Sequence, residues 1–172
     1  LHLGQKIARS LQGRGLSDVG VVALIAALPV VELRGAIPVG IWMGLPIATV
    51  LPLAIAGNLA PILPLLLLLK NKTLRNIMKP ILDRAESKTA GLQGKQQWTS
   101  LATFVGVPLP GTGAWTGAMG AFLLNMSLVS AFTSIAAGVL SAGAIMTALT
   151  VSGKKGGIVA LAALFVAALS QF

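Results

Sequence analysis

Two stretches of this chain, Ile47–Leu69 and Leu128–Val151, run for 23 and 24 residues without a charged side chain. About 20 consecutive apolar residues carry a helix across the hydrocarbon core of a bilayer. Segments of that kind settle in lipid or in the interior of a large protein, and 172 residues leave room for only one domain. Composition decides between the two. Charged residues make up 10% of the chain, against roughly 25% in a soluble domain, and the mean hydropathy is +0.88. So few charges cannot cover a water-facing surface. The sequence therefore predicts an all-α, polytopic integral membrane protein, with residues 1–172 as a single transmembrane domain.

The net charge of +9 does not point to nucleic acid. The basic residues flank apolar runs, where anionic lipid headgroups are the nearer partner, and no aromatic-interleaved basic face accompanies them. Cysteine is absent, which excludes disulfides, thiolate metal sites and cysteine nucleophiles. The sequence holds no acid–base dyad, nucleophile triad or metal cluster, so neither an enzyme nor a cofactor is expected. Glycines 111, 113 and 117 fail the dinucleotide-binding order and follow no strand. The chain opens on Leu1 with no recognisable signal peptide, so a leader is expected to have been removed or left out.

Two further apolar stretches are broken. Val19–Met43 carries Pro29-Val-Val-Glu32-Leu-Arg34-Gly35-Ala-Ile-Pro38-Val-Gly40 at its centre. Proline removes a backbone donor and glycine accepts unusual dihedrals, so no smooth helix is expected there. Glu32 and Arg34 at bilayer depth cost about 2.5–3.5 kcal/mol per charge, which makes them a functional-site hypothesis. As a hairpin, Val19–Val31 and Ala36–Met43 dip in and return, with Glu32 to Pro38 at the tip. Segment 101–124 repeats the plan: Leu101–Val107 leads into Pro108-Leu-Pro110-Gly111-Thr112-Gly113-Ala-Trp115-Thr116-Gly117, and Ala118–Leu124 leaves. That tip is uncharged but offers the Thr112 and Thr116 hydroxyls and a run of backbone amides.

Broken segment, span, broken segment, span reads as an inverted repeat of two re-entrant helical hairpins with spanning helices. Interrupted segments at matching positions point to a transporter site near the midplane. Charge counting opposes the hairpins: with both segments crossing fully, every cation except Arg34 falls on one side, as the positive-inside bias prefers. Hairpins are nevertheless preferred, because broken backbone at that depth needs a protein-lined cavity either way.

The remaining segments follow from periodicity. Leu3, Ile7 and Leu11, with Lys6, Arg9 and Arg14 between them, predict an interfacial amphipathic helix over 1–18, a frayed terminus being the alternative. Lys70–Trp98 is a basic connection in which Leu74, Ile77, Met78, Ile81, Leu82 and Ala85 predict a second interfacial helix, flawed at Pro80. Pro52, Pro61 and Pro64 should bend the 47–69 span, and its Asn58 reads first as an interhelical hydrogen-bonding group. Ser134, Gly138 and Ala142 form a small-residue row that lets another helix approach. Trp42 and Trp98 fall at predicted interfaces as anchors, while Trp115 either lines the cavity or packs. Residues 158–172, after Lys154 and Lys155, form a last apolar helix that is short for a crossing.

Glu-Leu-Arg-Gly-Ala-Ile-Pro at 32–38, with Pro-Leu-Pro-Gly-Thr-Gly-Ala-Trp-Thr-Gly-Ala at 108–118, resembles the small multidrug export proteins. That family looks distantly related to the DedA membrane proteins. The resemblance covers residues 20–150 and implies two re-entrant hairpins facing each other in an inverted repeat, with transport or lipid flipping as the activity. DedA proteins carry an acid in the first hairpin and an arginine in the second. Glu32 matches the acid, whereas the arginine here, Arg34, sits in the first hairpin and the second has Gly111, Thr112 and Gly113.

The expected function is a small transporter or exporter of an amphiphilic or lipid-like substrate, working as a homo-oligomer. Glu32 would take up a proton or cation and Arg34 an anionic headgroup. The path residues are Glu32, Arg34, Gly35, Pro38, Asn58, Pro108, Pro110, Gly111, Thr112, Gly113 and Thr116. The structural alternative for the two charges is a buried ion pair, or pairs with backbone carbonyls, that fixes the hairpin tip. The rival for the chain as a whole is a non-transporting subunit of a larger membrane complex, photosynthetic or organellar. The host is expected to be a bacterial inner membrane or a plastid or thylakoid membrane.

Overall fold

The computed structural model describes residues 9–89, 94–109 and 111–153. All elements among the described residues are helices. Helix α1 (Asp18–Ala27) starts at Ser17, whose Oγ accepts the Gly20 N–H at 3.2 Å. It ends where Leu28, preceding Pro29, is pushed into an extended conformation (φ −70°, ψ 137°). Helix α2 (Glu32–Trp42) follows. The first break therefore falls at 28–31 and not at the expected 32–38, which is helical. Pro38 lies inside α2 and removes only the bond that the Arg34 carbonyl would accept.

The expected 47–69 span is divided at Pro61 into α3 (Ile47–Leu59) and α4 (Ile62–Leu69). Pro64 falls in the first turn of α4, where a missing N–H costs little. The combined 47–69 segment and α8 (Leu128–Val151) are long and apolar enough to cross a membrane. Helix α5 (Lys72–Thr89) forms within the basic connection with Pro80 inside it; Leu74 packs on the core and Ile77 is exposed. Helix α6 (Lys95–Gly106) begins earlier than expected and takes in Trp98, whose indole donates to Thr133 Oγ1 at 3.0 Å. After a second break at 107–113 comes α7 (Ala114–Leu123). Of the helix expected over 1–18, residues 9–12 are helical. Residues 1–8 and 154–172, with the C-terminal helix expected there, lie outside the described residues.

Both helices that follow a break end in the same way. At Gly44 (φ 82°) the Gly44 N–H bonds Ile41 O at 3.0 Å and the Leu45 N–H bonds Gly40 O at 3.1 Å. At Asn125 (φ 53°) the Asn125 N–H bonds Phe122 O at 3.0 Å and the Met126 N–H bonds Ala121 O at 3.0 Å. Each is a Schellman turn, in which glycine, or less often asparagine, supplies the left-handed residue. Positions 44 and 125 are 81 apart, as are Pro29 and Pro110, and Gly57 and Gly138.

The two glycines of that last pair do the same work. A Cβ at Gly57 would lie 2.5 Å from Ala23 O on α1, and one at Gly138 would lie 2.7 Å from Ala102 O on α6. Backbone thus meets backbone at α3–α1 and again at α8–α6. Gly138→Ala is expected to cost about 1–3 kcal/mol by overpacking, read as a fall in Tm of the detergent-purified protein. Gly57→Ala should match it. Gly120→Ala, where a Cβ has 3.5 Å to Leu101 Cδ1, should leave Tm unchanged. Ser134, Gly138 and Ala142 are all buried within this chain, so that row faces its own helices.

Candidate functional site

Where the two breaks meet, Glu32, Leu33 and Arg34 of α2 face Asn58 of α3, Val105 of α6, Gly113 and Ala114 at the head of α7, and Val139 and Ala142 of α8. They line a narrow, partly open crevice with no room for a water molecule.

Glu32 is 5% exposed and has φ 52°. A left-handed conformation at a non-glycine residue costs on the order of 1–3 kcal/mol and persists only where its surroundings over-determine it. Here the carboxylate is what fixes it. Its Oε1 accepts the Trp115 N–H at 3.2 Å, and the Ala114 amide is also directed at it. Those amides belong to the first turn of α7, whose donors have no partner within the helix and carry its positive partial charge. Gly113 makes the approach possible, because any Cβ there would overlap the Glu32 carboxyl group. From the outer side, Thr116 Oγ1 accepts the Gly113 N–H at 2.7 Å.

Arg34 serves the opposite end of the same break. Its Nη1 donates to Leu109 O at 2.8 Å and its Nη2 to Thr112 Oγ1 at 3.1 Å, with Val107 O at 3.4 Å and Val105 O at 3.5 Å. These carbonyls run off the C-terminus of α6, the negative end of that helix. Thr112 Oγ1, 2.6 Å from Val107 O, also accepts the Leu109 N–H at 3.2 Å, so it ties the loop to itself as well as to the guanidinium. The acid thus sits on a positive helix end and the base on a negative one. Residues two apart on a regular helix point away from each other; the left-handed start of α2 is what brings both onto the second break. Trp115 completes the link, its indole N–H donating to Ala27 O, at the C-terminus of α1, at 3.2 Å.

A family model described as "Putative small multi-drug export protein" matches residues 32–145. The chain belongs to that family. The match begins at Glu32 and takes in every residue lining the central space. No curated protein and no solved structure matches the chain. Membership in the small multi-drug export family, together with two helices of spanning length, points to a membrane protein.

In this family member the sequence-predicted residues divide by role. Glu32, Arg34, Asn58 and Gly113 line the centre, and Thr112 holds Arg34. Gly35 sits against Val31, where a Cβ would overlap Val31 Cγ1; Pro38 is half-buried and Pro108 buried. Gly111 (φ 83°) and Thr116 face outward, and Pro110 lies outside the described residues. Asn58 is 1% exposed, yet its Oδ1 has no hydrogen-bond partner, and neither has Arg34 Nε. The expected interhelical bond at that oxygen is not made. Val139 is a lining residue that sequence reasoning missed. It stands 81 positions after Asn58, the offset that also relates Glu32 to Gly113.

Proposed function

We propose that this chain is a small transporter or exporter of an amphiphilic or lipid-like substrate, built on two re-entrant helix pairs in an inverted repeat. The observation that carries the reading is the unmatched donor and acceptor, Arg34 Nε and Asn58 Oδ1, at a narrow crevice between helix ends. Each buried orphan costs about 1–3 kcal/mol, and native centres rarely keep one without a use. A second state that admits a polar headgroup supplies that use. Glu32 takes up a proton or cation as it leaves the α7 amides, and Arg34 exchanges loop carbonyls for an anionic group.

Helix lengths support re-entry. The helices flanking the breaks have 10, 11, 12 and 10 residues. At 1.5 Å per residue such helices reach about halfway through a hydrocarbon core of roughly 30 Å. Gln97 Nε2 donates to Leu124 O at 3.3 Å, beside the start of α6, and the Arg9 guanidinium lies 5.7 Å from the Trp42 ring centroid. Both contacts support pairs that return to the side they left. The 81-residue correspondences support the repeat, and the reach of Arg34 onto the second break supports the DedA relationship, since a guanidinium then serves that hairpin after all. A bacterial inner membrane or a plastid membrane is the proposed host, with a homo-oligomer as the working unit.

A second reading, a non-transporting subunit of a larger membrane complex, is favoured by the lack of room for water at the centre. Proteoliposomes with an imposed proton gradient and ethidium as a fluorescent amphiphile separate the two. Dye movement by the native protein, cut at least about tenfold by Glu32→Gln with Tm retained, supports coupling through a membrane carboxylate. A native protein that moves neither dye nor labelled lipid leaves the subunit reading. Undiminished movement in Glu32→Gln removes the proton site.

A further inference from the structure

A second cavity, of about 370 Å³, opens where α4 turns into α5 and α7 turns into α8, and it shares no lining residue with the centre. One part of its wall is apolar, with Leu66 and Leu69 from α4, Phe122 from α7, then Met126 and Leu128, and the rest is polar, with Asn125 and Ser127 among it. Its rim is cationic. Lys70 closes α4, and Arg75 lies one turn into α5, which Asn71 starts by accepting the Thr73 N–H at 3.0 Å. The Arg75 guanidinium donates to the side chain of Asn125, the left-handed residue of the α7 terminal turn.

The fold does not impose this space. The repeat offset pairs Ala121 and Ala131, which line the cavity, with Gly40 and Val50. There Val50 fills the junction so closely that a Cβ at Gly40 would lie 2.8 Å from it. Two alanines leave the α7–α8 junction open, and it is there that Lys70 and Arg75, at the end of α4 and the start of α5, come alongside. The cavity also sits where the apolar 47–69 run ends and α8 begins, the level at which headgroups meet the hydrocarbon edge. Leu67, Leu68 and Val129, at the same level on the outer faces of α4 and α8, are 53%, 63% and 73% exposed.

We propose that this cavity seats the phosphate-bearing headgroup of an anionic phospholipid. Lys70 and Arg75 hold the phosphate, and Leu66, Phe122 and Leu128 receive the first carbons of the chains. A volume of this size suits one headgroup, and cations at a bilayer edge draw anionic lipid. The assignment rests on membrane placement alone and is independent of transport at Glu32.

The test is lipid retention by the detergent-purified protein, read by native mass spectrometry after exchange into mixed phosphatidylglycerol and phosphatidylcholine micelles. Phosphatidylglycerol should be retained selectively. Lys70→Gln with Arg75→Gln should weaken retention about 10- to 30-fold, the effect of two cations near a membrane surface. Lys79→Gln with Lys95→Gln removes the same charge from other exposed positions and should change it less than about twofold. Ala131→Val, which fills the cavity as Val50 fills its counterpart, should also weaken retention with no change of charge. Equal loss in the two charge pairs means diffuse attraction and overturns the site. So does undiminished retention without Lys70 and Arg75. Displacement of the lipid by millimolar inorganic phosphate assigns the cavity to free phosphate and overturns the lipid as its source.

Discussion

Arg34→Met lowers the stability of the protein by about 3–5 kcal/mol, the cost of removing one member of a buried charged arrangement. In a chain of this size each kcal/mol moves Tm by about 2–4 °C, so thermal unfolding in detergent, followed by tryptophan fluorescence, should shift by roughly 6–20 °C. Methionine fills much of the volume but leaves Leu109 O and Thr112 Oγ1 without the donors now at 2.8 and 3.1 Å. The half-buried end of α6 then keeps the Thr112 N–H on Leu109 O at 3.2 Å but loses the positive charge that faced it. Arg34→Lys should recover only part of the loss, because a single ammonium lacks the planar fork that reaches both acceptors. An unchanged Tm in Arg34→Met means the second break holds its shape without the guanidinium.

Gly113→Val is expected to be as damaging from the other side of the centre. Its side chain must enter the volume of the Glu32 carboxyl group, so either α7 shifts or the carboxylate leaves the Trp115 amide. Both leave a buried charge poorly solvated, again at about 3–5 kcal/mol. A double-mutant cycle identifies the cause. In a Glu32→Ala background the obstruction is gone, and Gly113→Val should cost less by a coupling energy of about 0.5–3 kcal/mol. Additive losses would mean that glycine is needed at 113 for reasons unrelated to the acid.

Much of the architecture could be read from residue type because lipid-compatible segments are long and unambiguous. The uncharged runs at 47–69 and 128–151 came through as spanning-length segments, and both broken stretches came through as helix, break, helix. The position of the first break was misjudged. Two prolines and two glycines within 29–40 make 32–38 look unwound, but the decisive constraint is Pro29 acting on Leu28, after which Pro38 is absorbed at the loss of one backbone bond. Its prolines predict a bent 47–69 span, and the chain is instead divided at Pro61, since a proline at that point serves better as a helix start than as a kink. Glu32, Arg34 and Thr112 were legible as a polar set because charges in an apolar stretch are conspicuous. What each charge does was not. No local pattern reveals that the carboxylate meets the head of α7 or that the guanidinium meets the tail of α6, since both are contacts across more than 70 residues. The small-residue row at Ser134, Gly138 and Ala142 is legible as a face for close approach, and at Gly138 it meets Ala102 and Val105 of α6.

The fit of Glu32 against Gly113 constrains how such a chain can be engineered. The start of α2 brings the acid and the head of α7 brings the vacancy that receives it, as a key differs from its lock. A side chain added at 113 has nowhere to go while an acid stands at 32, so the two positions can be redesigned only as a pair.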